Sequence, residues 1–430
     1  MDNNISIEST QVESELKYDS FNDICEDMLN KEEINKDDKK EETILNLFRG
    51  VVSYGFDKPT PIQEKTIIPL YSGVDIIAQS QSGTGKTGAF TIGLLSRINL
   101  DNNFPQAIIV ATTRELALQI NSVCKNISQY MNVKTCLSIG GQYMNISENM
   151  KQVKNSHIII GTPGRINNII NNKGFSMDNI HTLILDEADA LLENDFIDQI
   201  KSIIIKINKK AQICVFSATM DKNTLDVTKM FIQNPYIIKL KDEELSLDII
   251  KQFKIELDHE KYKLDTLFDL YTKLTITQAV IFANTVNRAC YIYERMKKDG
   301  HQVGLIHGKM TSEERVEILR KFRKGEIRVI IGTDVIARGI DVQQIGLVFN
   351  YDIPNDKKTY LHRIGRSGRY GKLGVAINFV VTNERNYRRS NKRNNRNQSD
   401  YDKIYDIQTH YKNEIVHLPN PDEINAILMG

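Results

Sequence analysis

Short apolar runs punctuate this chain, and the stretches between them carry apolar residues at helical spacing. In the first half the runs fall at 74–78, 107–111, 157–160, 182–185 and 212–216. In the second half they fall at 279–282, 303–306, 328–331, 347–350 and 375–380. Runs this short, bounded by turn residues and alternating with helix-compatible segments, predict strands buried on both faces of a parallel sheet flanked by helices. The series is α/β and it occurs twice. It predicts two tandem parallel-sheet domains, over 43–240 and 251–430, joined by a short charged linker at 241–250.

The polar stretches complete the division. Residues 1–42 lack the periodicity and are expected to be mostly disordered, with the mixed-charge run 31–42 a solvated linker or exposed helix. Phe21 and Ile24 interrupt the polarity and are candidates for docking. From Thr43 the spacing turns helical, with Ile44, Leu45, Phe48, Val51 and Val52 on one face. A second polar interruption, about 385–401, is rich in Asn and Arg and predicts a disordered loop. Its simplest role is a passive solvated loop; added phosphate contacts or a nuclear-import signal are the alternatives.

The strand ends carry the chemistry. After the run at 74–78 comes Ser80-Gln81-Ser82-Gly83-Thr84-Gly85-Lys86-Thr87, followed by a helix-compatible segment. Strand, Gly-rich turn and helix form a phosphate-binding loop: backbone N–H groups close around a polyphosphate and the helix N-terminus adds positive potential. Lys86 would reach the β- and γ-phosphates, and the Thr87 hydroxyl would ligate Mg²⁺. Alone, the stretch could be a Gly/Ser/Thr-rich surface turn. The run at 182–185 supplies its complement by ending in Asp186-Glu187-Ala188-Asp189. Asp186 at a strand end can hold Mg²⁺ directly or through water, and Glu187 can orient and deprotonate a water. Asp189 can tie into Ser217-Ala218-Thr219; the competing reading is an acidic helix start. Upstream, Phe56 and Gln63 flank Pro59 and Pro61. They suit adenine stacking and adenine-edge recognition, or merely a capped helix start.

The second domain has no phosphate loop. Its strand ends carry Asn284-Thr285, His307-Gly308, Thr333-Asp334 and Tyr351-Asp352. It also carries two clusters, Ala337-Arg338-Gly339-Ile340-Asp341 and a stretch from His362 holding Arg363, Arg366 and Arg369. Guanidinium forks suit phosphate oxygens. They could supply transition-state charge to an ATP site on the first domain, bind RNA backbone alone, or form a solvated basic loop.

Composition changes this picture little. The chain is 40% hydrophobic and 26% charged, with a net charge of +1, so any nucleic-acid footprint is local rather than global. Five cysteines without CxxC spacing argue against a metal site or disulfide framework and fit a reducing compartment. Residues 1–17 show no leader pattern and no run is long enough to span a membrane, so no membrane partner is expected.

Taken in order, these motifs resemble those of the DEAD-box RNA helicases. They are Phe56 to Gln63, the phosphate loop, Thr113-Arg114-Glu115-Leu116-Ala117, Gly140-Gly141, Thr162 to Arg165, the tetrad at 186–189, Ser217 to Thr219, Asn284-Thr285, Thr333 to Asp341 and His362 to Arg369. The resemblance covers roughly 43–382 and 402–430. Within the family the chain is most similar to the eukaryotic initiation factor four-A branch, through 78–87, Arg338 to Gln344, Asn350 to Asp352 and Gly374 to Phe379.

The resemblance implies two RecA-like domains that close on ATP and RNA together. It implies adenine contacts from Phe56 and Gln63, and phosphate or Mg²⁺ contacts from Ser82, Gly83, Thr84, Gly85, Lys86, Thr87 and Asp186. Glu187 would act on the water, Asp341 would lie near the ribose and γ-phosphate, and Arg366 and Arg369 would be arginine fingers. Asp189, Ser217, Thr219 and His362 would couple hydrolysis to strand separation. RNA-backbone contacts fall to Thr113, Arg114, Gly141, Thr162, Arg165, Asn284, Thr285, Arg315 and Thr333. Such contacts read phosphate and 2′-OH, so little sequence preference follows.

The expected partner is RNA, single-stranded or as a short duplex. Scaffold proteins, a monomeric state and a cytoplasmic location, with the nucleus as alternative, complete the expectation, together with translation initiation from the branch. There are departures. Thr112 replaces the usual Pro, Ser80 a small Ala and Ser312 a Gln, and extra residues make Phe21 a weak match to the family's upstream aromatic. The rival functions are an ATP-gated RNA clamp serving as an assembly platform and, more distantly, a DNA helicase. A pseudo-enzyme conflicts with the presence of Lys86, Glu187, Arg366 and Arg369.

Overall fold

A computed structural model describes residues 18–35, 38–81, 83–140, 145–192, 196–220, 222–232, 234–240, 250–336, 345–367, 373–382 and 398–429. The chain divides into two units, Met1–Lys241 and Asp242–Gly430. The first holds β1 (Ile76–Gln79), β2 (Ala107–Val110), β3 (Thr135–Ser138), β4 (Ile158–Gly161), β5 (Thr182–Asp186), β6 (Gln212–Ser217) and β7 (Tyr236–Lys239). The second holds β8 (Ile250–Leu257), β9 (Ala279–Phe282), β10 (Val303–Ile306), β11 (Val329–Gly332), β12 (Leu347–Asn350), β13 (Gly374–Val381) and β14 (Val416–His417).

The sheets run β3-β4-β2-β5-β6-β1-β7 and β10-β11-β9-β12-β13-β8-β14. Renumbered from its own first strand, the second order is the same as the first, so the architecture is duplicated. The strand pairs are parallel. The central strands β2, β4, β5 and β6 are buried along their whole length, as helices on both faces require. The edge strands β3 and β7 are buried only at alternate or single positions. Parallel pairing brings the carboxyl end of every strand to one rim of its sheet, where open α/β sheets bind ligands.

The N-terminal expectation is corrected. Residues 1–17 lie outside the described residues, but Phe21–Asn35 and Asp38–Ser53 are helices. Phe21, Ile24, Cys25 and Met28 are buried at helical spacing, a stripe hidden among charges. The second of these helices buries Ile44, Leu47, Phe48 and Val51, whereas Leu45 and Val52 are exposed. The inward face therefore follows the spacing 44, 47, 48, 51.

The expected linker lies outside the described residues except for Ile250, which opens β8. Of the expected loop at 385–401, residues 385–397 lie outside the described residues. Its far end is ordered: Ser399 caps the helix Asp400–Tyr411, accepting from the Asp402 amide while its own amide donates to the Asp402 carboxylate.

Candidate functional site

The phosphate loop leaves β1 and enters the helix Lys86–Leu95. Gly85 has φ +101°, a left-handed conformation that strains any L side chain, and a Cβ there would lie 2.8 Å from Gln63 Nε2. At Gly88 a Cβ would meet Gln63 Nε2 at 2.8 Å and the Phe56 ring at 2.8 Å. These glycines thus let the Phe56–Gln63 segment sit against the loop. Gln63 is buried; its Oε1 accepts from the Thr60 amide at 2.8 Å and its Nε2 donates to the Gly85 carbonyl at 3.3 Å. Phe56 stacks on Phe21, ring centroids 5.7 Å apart and planes 13° apart, and meets Tyr54 edge-on at 5.0 Å. Phe21 therefore belongs to this site despite its displaced sequence position.

Within the loop, Lys86 is buried and donates to the carbonyls of Ser80 and Gln81, the latter at 2.6 Å. Thr84 Oγ1 donates to Gln81 O at 2.8 Å and is hydrogen-bonded to the Ser80 hydroxyl. The hydroxyl of Ser80, where the family has Ala, thus closes the loop internally. Ser82 lies outside the described residues.

Two strands away, β5 ends in Asp186, across from Phe216 of β6, while β6 in turn sets Ser217 beside Gln79 of β1. The order β5-β6-β1 therefore collects the acidic tetrad, the Ser217–Thr219 turn and the phosphate loop on one stretch of rim. Burial and the neighbouring Glu187 carboxylate push the Asp186 carboxyl up to about 7, against the pull of Lys86. Asp186 Oδ1 accepts from the Glu187 amide at 3.0 Å. Glu187 is left-handed at φ 54° and turns the chain into a short helix. Thr219 Oγ1 donates to Asp189 Oδ2 at 2.6 Å, the Asp189 amide donates to Ser217 Oγ at 3.3 Å, and Ser217 Oγ donates to Thr219 O at 2.6 Å. The expected tie between Asp189 and the Ser217–Thr219 turn is present in full.

The donors fit magnesium. Asp186 and Thr87 offer hard carboxylate and hydroxyl oxygens, and a cation would offset the charge that burial disfavours at Asp186. Among the described residues no group of three or more His, Cys, Asp or Glu could hold a metal alone. Nucleotide phosphate oxygens and water would therefore fill most of the shell, as is usual for Mg²⁺.

The other half of the rim, at β2 and β4, carries the candidate RNA contacts. Thr113 caps the helix Arg114–Ile127 by accepting from the Leu116 amide at 3.2 Å. The Arg114 guanidinium lies against Gly140, where a Cβ would stand 3.3 Å from it. Thr162 precedes the helix Pro163–Asn171, which carries Arg165 in its first turn. Gly141 lies outside the described residues. Where the two halves meet, Thr112 Oγ1 donates to Glu187 Oε2 at 2.6 Å. Sequence reasoning noted Thr112 only as a departure; the signal was its place two residues beyond Val110, which pairs with Leu185.

In the second unit the rim is tied together by buried polar groups. Arg363 is fully buried: Nε donates to Asp334 at 2.6 Å, Nη1 to Asp352 O at 2.7 Å, Nη2 to Asn284 Oδ1 at 2.8 Å, and the guanidinium covers the Phe282 ring. Burial would raise the Asp352 carboxyl, but Lys263, the Asn284 amide and Arg288 outweigh it and hold it below the usual range. Lys263 Nζ lies 3.2 Å and Arg288 Nη1 2.6 Å from Asp352 Oδ1. Asn284 is thus positioned by Arg363 and Asp352, and Thr285 caps the next helix by accepting from Arg288 N at 3.3 Å. Thr333 follows β11, and Arg315 lies on the helix Ser312–Arg323. His362 and Arg366 are buried, with Arg366 Nε donating to the His362 carbonyl at 3.2 Å. Asp341 and Arg369 lie outside the described residues. Arg363, which stands in this cluster but is not one of the expected arginine fingers, directs its nitrogens to its own unit.

Two duplicated α/β units, one bearing a phosphate loop beside an Asp-Glu strand end, define the helicase class of nucleoside triphosphatases. Residues 60–227 match the DEAD/DEAH box helicase domain and residues 262–371 the helicase conserved C-terminal domain. The chain is 45% identical over 338 residues to the ATP-dependent RNA helicase eIF4A of Candida glabrata, covering 79% of this chain and 85% of that protein. Its fold resembles S. cerevisiae Dbp5 bound to RNA and ADP BeF3, with TM-score 0.79, 32% identity, and 89% of this chain and 96% of that one covered. Mss116p bound to ssRNA and AMP-PNP shares the fold at TM-score 0.77 and 24% identity, over 97% of this chain and 83% of that one. The chain belongs to the DEAD-box family of ATP-dependent RNA helicases, in the eIF4A branch, and is a hydrolase acting on ATP. Both units are RecA-like. Among the described residues no helix is long and apolar enough to cross a membrane.

Proposed function

We propose that this helicase separates short RNA duplexes locally, without processive travel, and that it does so in translation initiation in the cytoplasm. The observation that carries the mechanism is the rim of the first unit, where the phosphate loop, the acidic tetrad and the Ser217–Thr219 turn occupy adjacent strand ends. Lys86 leaves its two loop carbonyls for the β- and γ-phosphates of ATP, Gln63 and Phe56 hold the adenine, and Phe21 backs the Phe56 ring. Asp186 and Thr87 would hold Mg²⁺, which would supply neutralisation of phosphate charge. Glu187 orients the attacking water and takes its proton. Arg366 and Arg369 stabilise charge on the transferring phosphoryl group, with Asp341 near the ribose.

RNA lies on Thr113, Arg114, Gly141, Thr162 and Arg165 of the first unit and Asn284, Thr285, Arg315 and Thr333 of the second. Asp189, Ser217, Thr219 and His362 couple hydrolysis to strand release. The chain acts as a monomer, and scaffold proteins can recruit it. The direct test is steady-state ATPase with and without single-stranded RNA, beside Glu187→Gln. Strong RNA stimulation that the variant abolishes supports this reading. Little turnover, with RNA retained stably in ATP, would instead identify a clamp.

A further inference from the structure

Continuing the β2–β5 pairing by two places sets Thr112 beside Glu187, and the Thr112 hydroxyl donates to Glu187 Oε2 at 2.6 Å. This bond is available to few residues. Proline, the family's usual occupant, has no donor, and valine fills the same space without one. Thr112 is also chained directly to Thr113 and Arg114. Thr113 is fixed as a helix cap through the Leu116 amide. A displacement of that turn is therefore transmitted to one oxygen of the Glu187 carboxylate by a single covalent step and one hydrogen bond.

We propose that Thr112 is a positioning residue: it holds the Glu187 carboxylate in the orientation that activates water, and it links that orientation to RNA seated on the Thr113–Arg114 turn. The inference rests on Glu187 being the group that acts on water. It places in this chain a contact between the RNA half and the ATP half of one sheet rim that a proline at the same position would lack.

The experiment is single-turnover cleavage of ATP at saturating Mg²⁺, with and without saturating oligo(U), for wild type, Thr112→Val, Thr112→Ser, Glu187→Gln and the Thr112→Val/Glu187→Gln double variant. A hydrogen bond to a charged group held in the reacting geometry corresponds to about a tenfold loss of rate. Thr112→Val should lose about that factor in the RNA-stimulated rate while ATP KM and RNA affinity stay within about twofold. Thr112→Ser should restore it, and the double variant should be no slower than Glu187→Gln alone. A Thr112→Val rate equal to or above wild type would overturn the inference, as would equal loss in the serine variant. If Glu187→Gln itself cleaves ATP at the wild-type rate, the assignment of the base has failed instead, and the inference falls with it for that separate reason.

Discussion

Arg363 and Arg366 stand in one cluster, and their identities alone suggest one task. Their surroundings separate them. Arg363 is fully buried and bonds to Asp334, Asn284 and the Asp352 carbonyl, so it braces the second unit from within. Removing one member of a buried, hydrogen-bonded charged set costs about 3 to 5 kcal/mol. Arg363→Ala should therefore lower the chemical-denaturation stability of the second unit by that order, and a change below about 1 kcal/mol would remove its bracing role. Glu187 shows what residue types can and cannot reveal. Its place at a strand end was legible because an apolar run delivers it. Its partner was not, because that contact depends on register between β2 and β5, and its two residues lie 75 positions apart in sequence. The Asp189–Ser217–Thr219 tie was legible for the opposite reason: small hydroxyl residues at the end of the adjoining strand have few other partners.

At the scale of elements, the fully buried strands were the readable ones. The runs at 279–282 and 347–350 coincide with β9 and β12, since strands covered on both faces leave an uninterrupted apolar signature; the run at 303–306 coincides with the edge strand β10, legible because all four of its residues are apolar or Gly although only alternate ones are buried. Strands β3, β7, β8 and β14 were not read. They lie at or next to sheet edges, where β8 mixes Lys, Gln and Glu with its apolar positions. The helix Phe21–Asn35 was missed because four buried apolar residues are diluted by charge. Its Phe21 stacks on Phe56, so the element bears on the proposed adenine contact as well as on packing. Truncating a buried Phe costs about 3 kcal/mol or more. Phe21→Ala should weaken the first unit by that order and raise the KM for ATP by loosening Phe56; a stability loss with unchanged KM would leave the helix a purely structural role.

At the scale of the molecule, one architecture occurs twice with a division of chemistry. Both sheets share one strand order, but only the first unit carries a phosphate loop. The second presents a rim braced by Asp352, Arg363 and Lys263. If ATP and RNA each draw on groups from both units, each must favour the same state of the chain, and their binding must be reciprocally coupled. The measurement that tests this most directly is a pair of titrations: the Kd of single-stranded RNA with and without a non-hydrolysable ATP analogue and Mg²⁺, and the Kd of the analogue with and without RNA. The account predicts that each ligand tightens the other by the same factor, at least about fivefold. Two independent affinities, each unchanged by the other ligand, would contradict it.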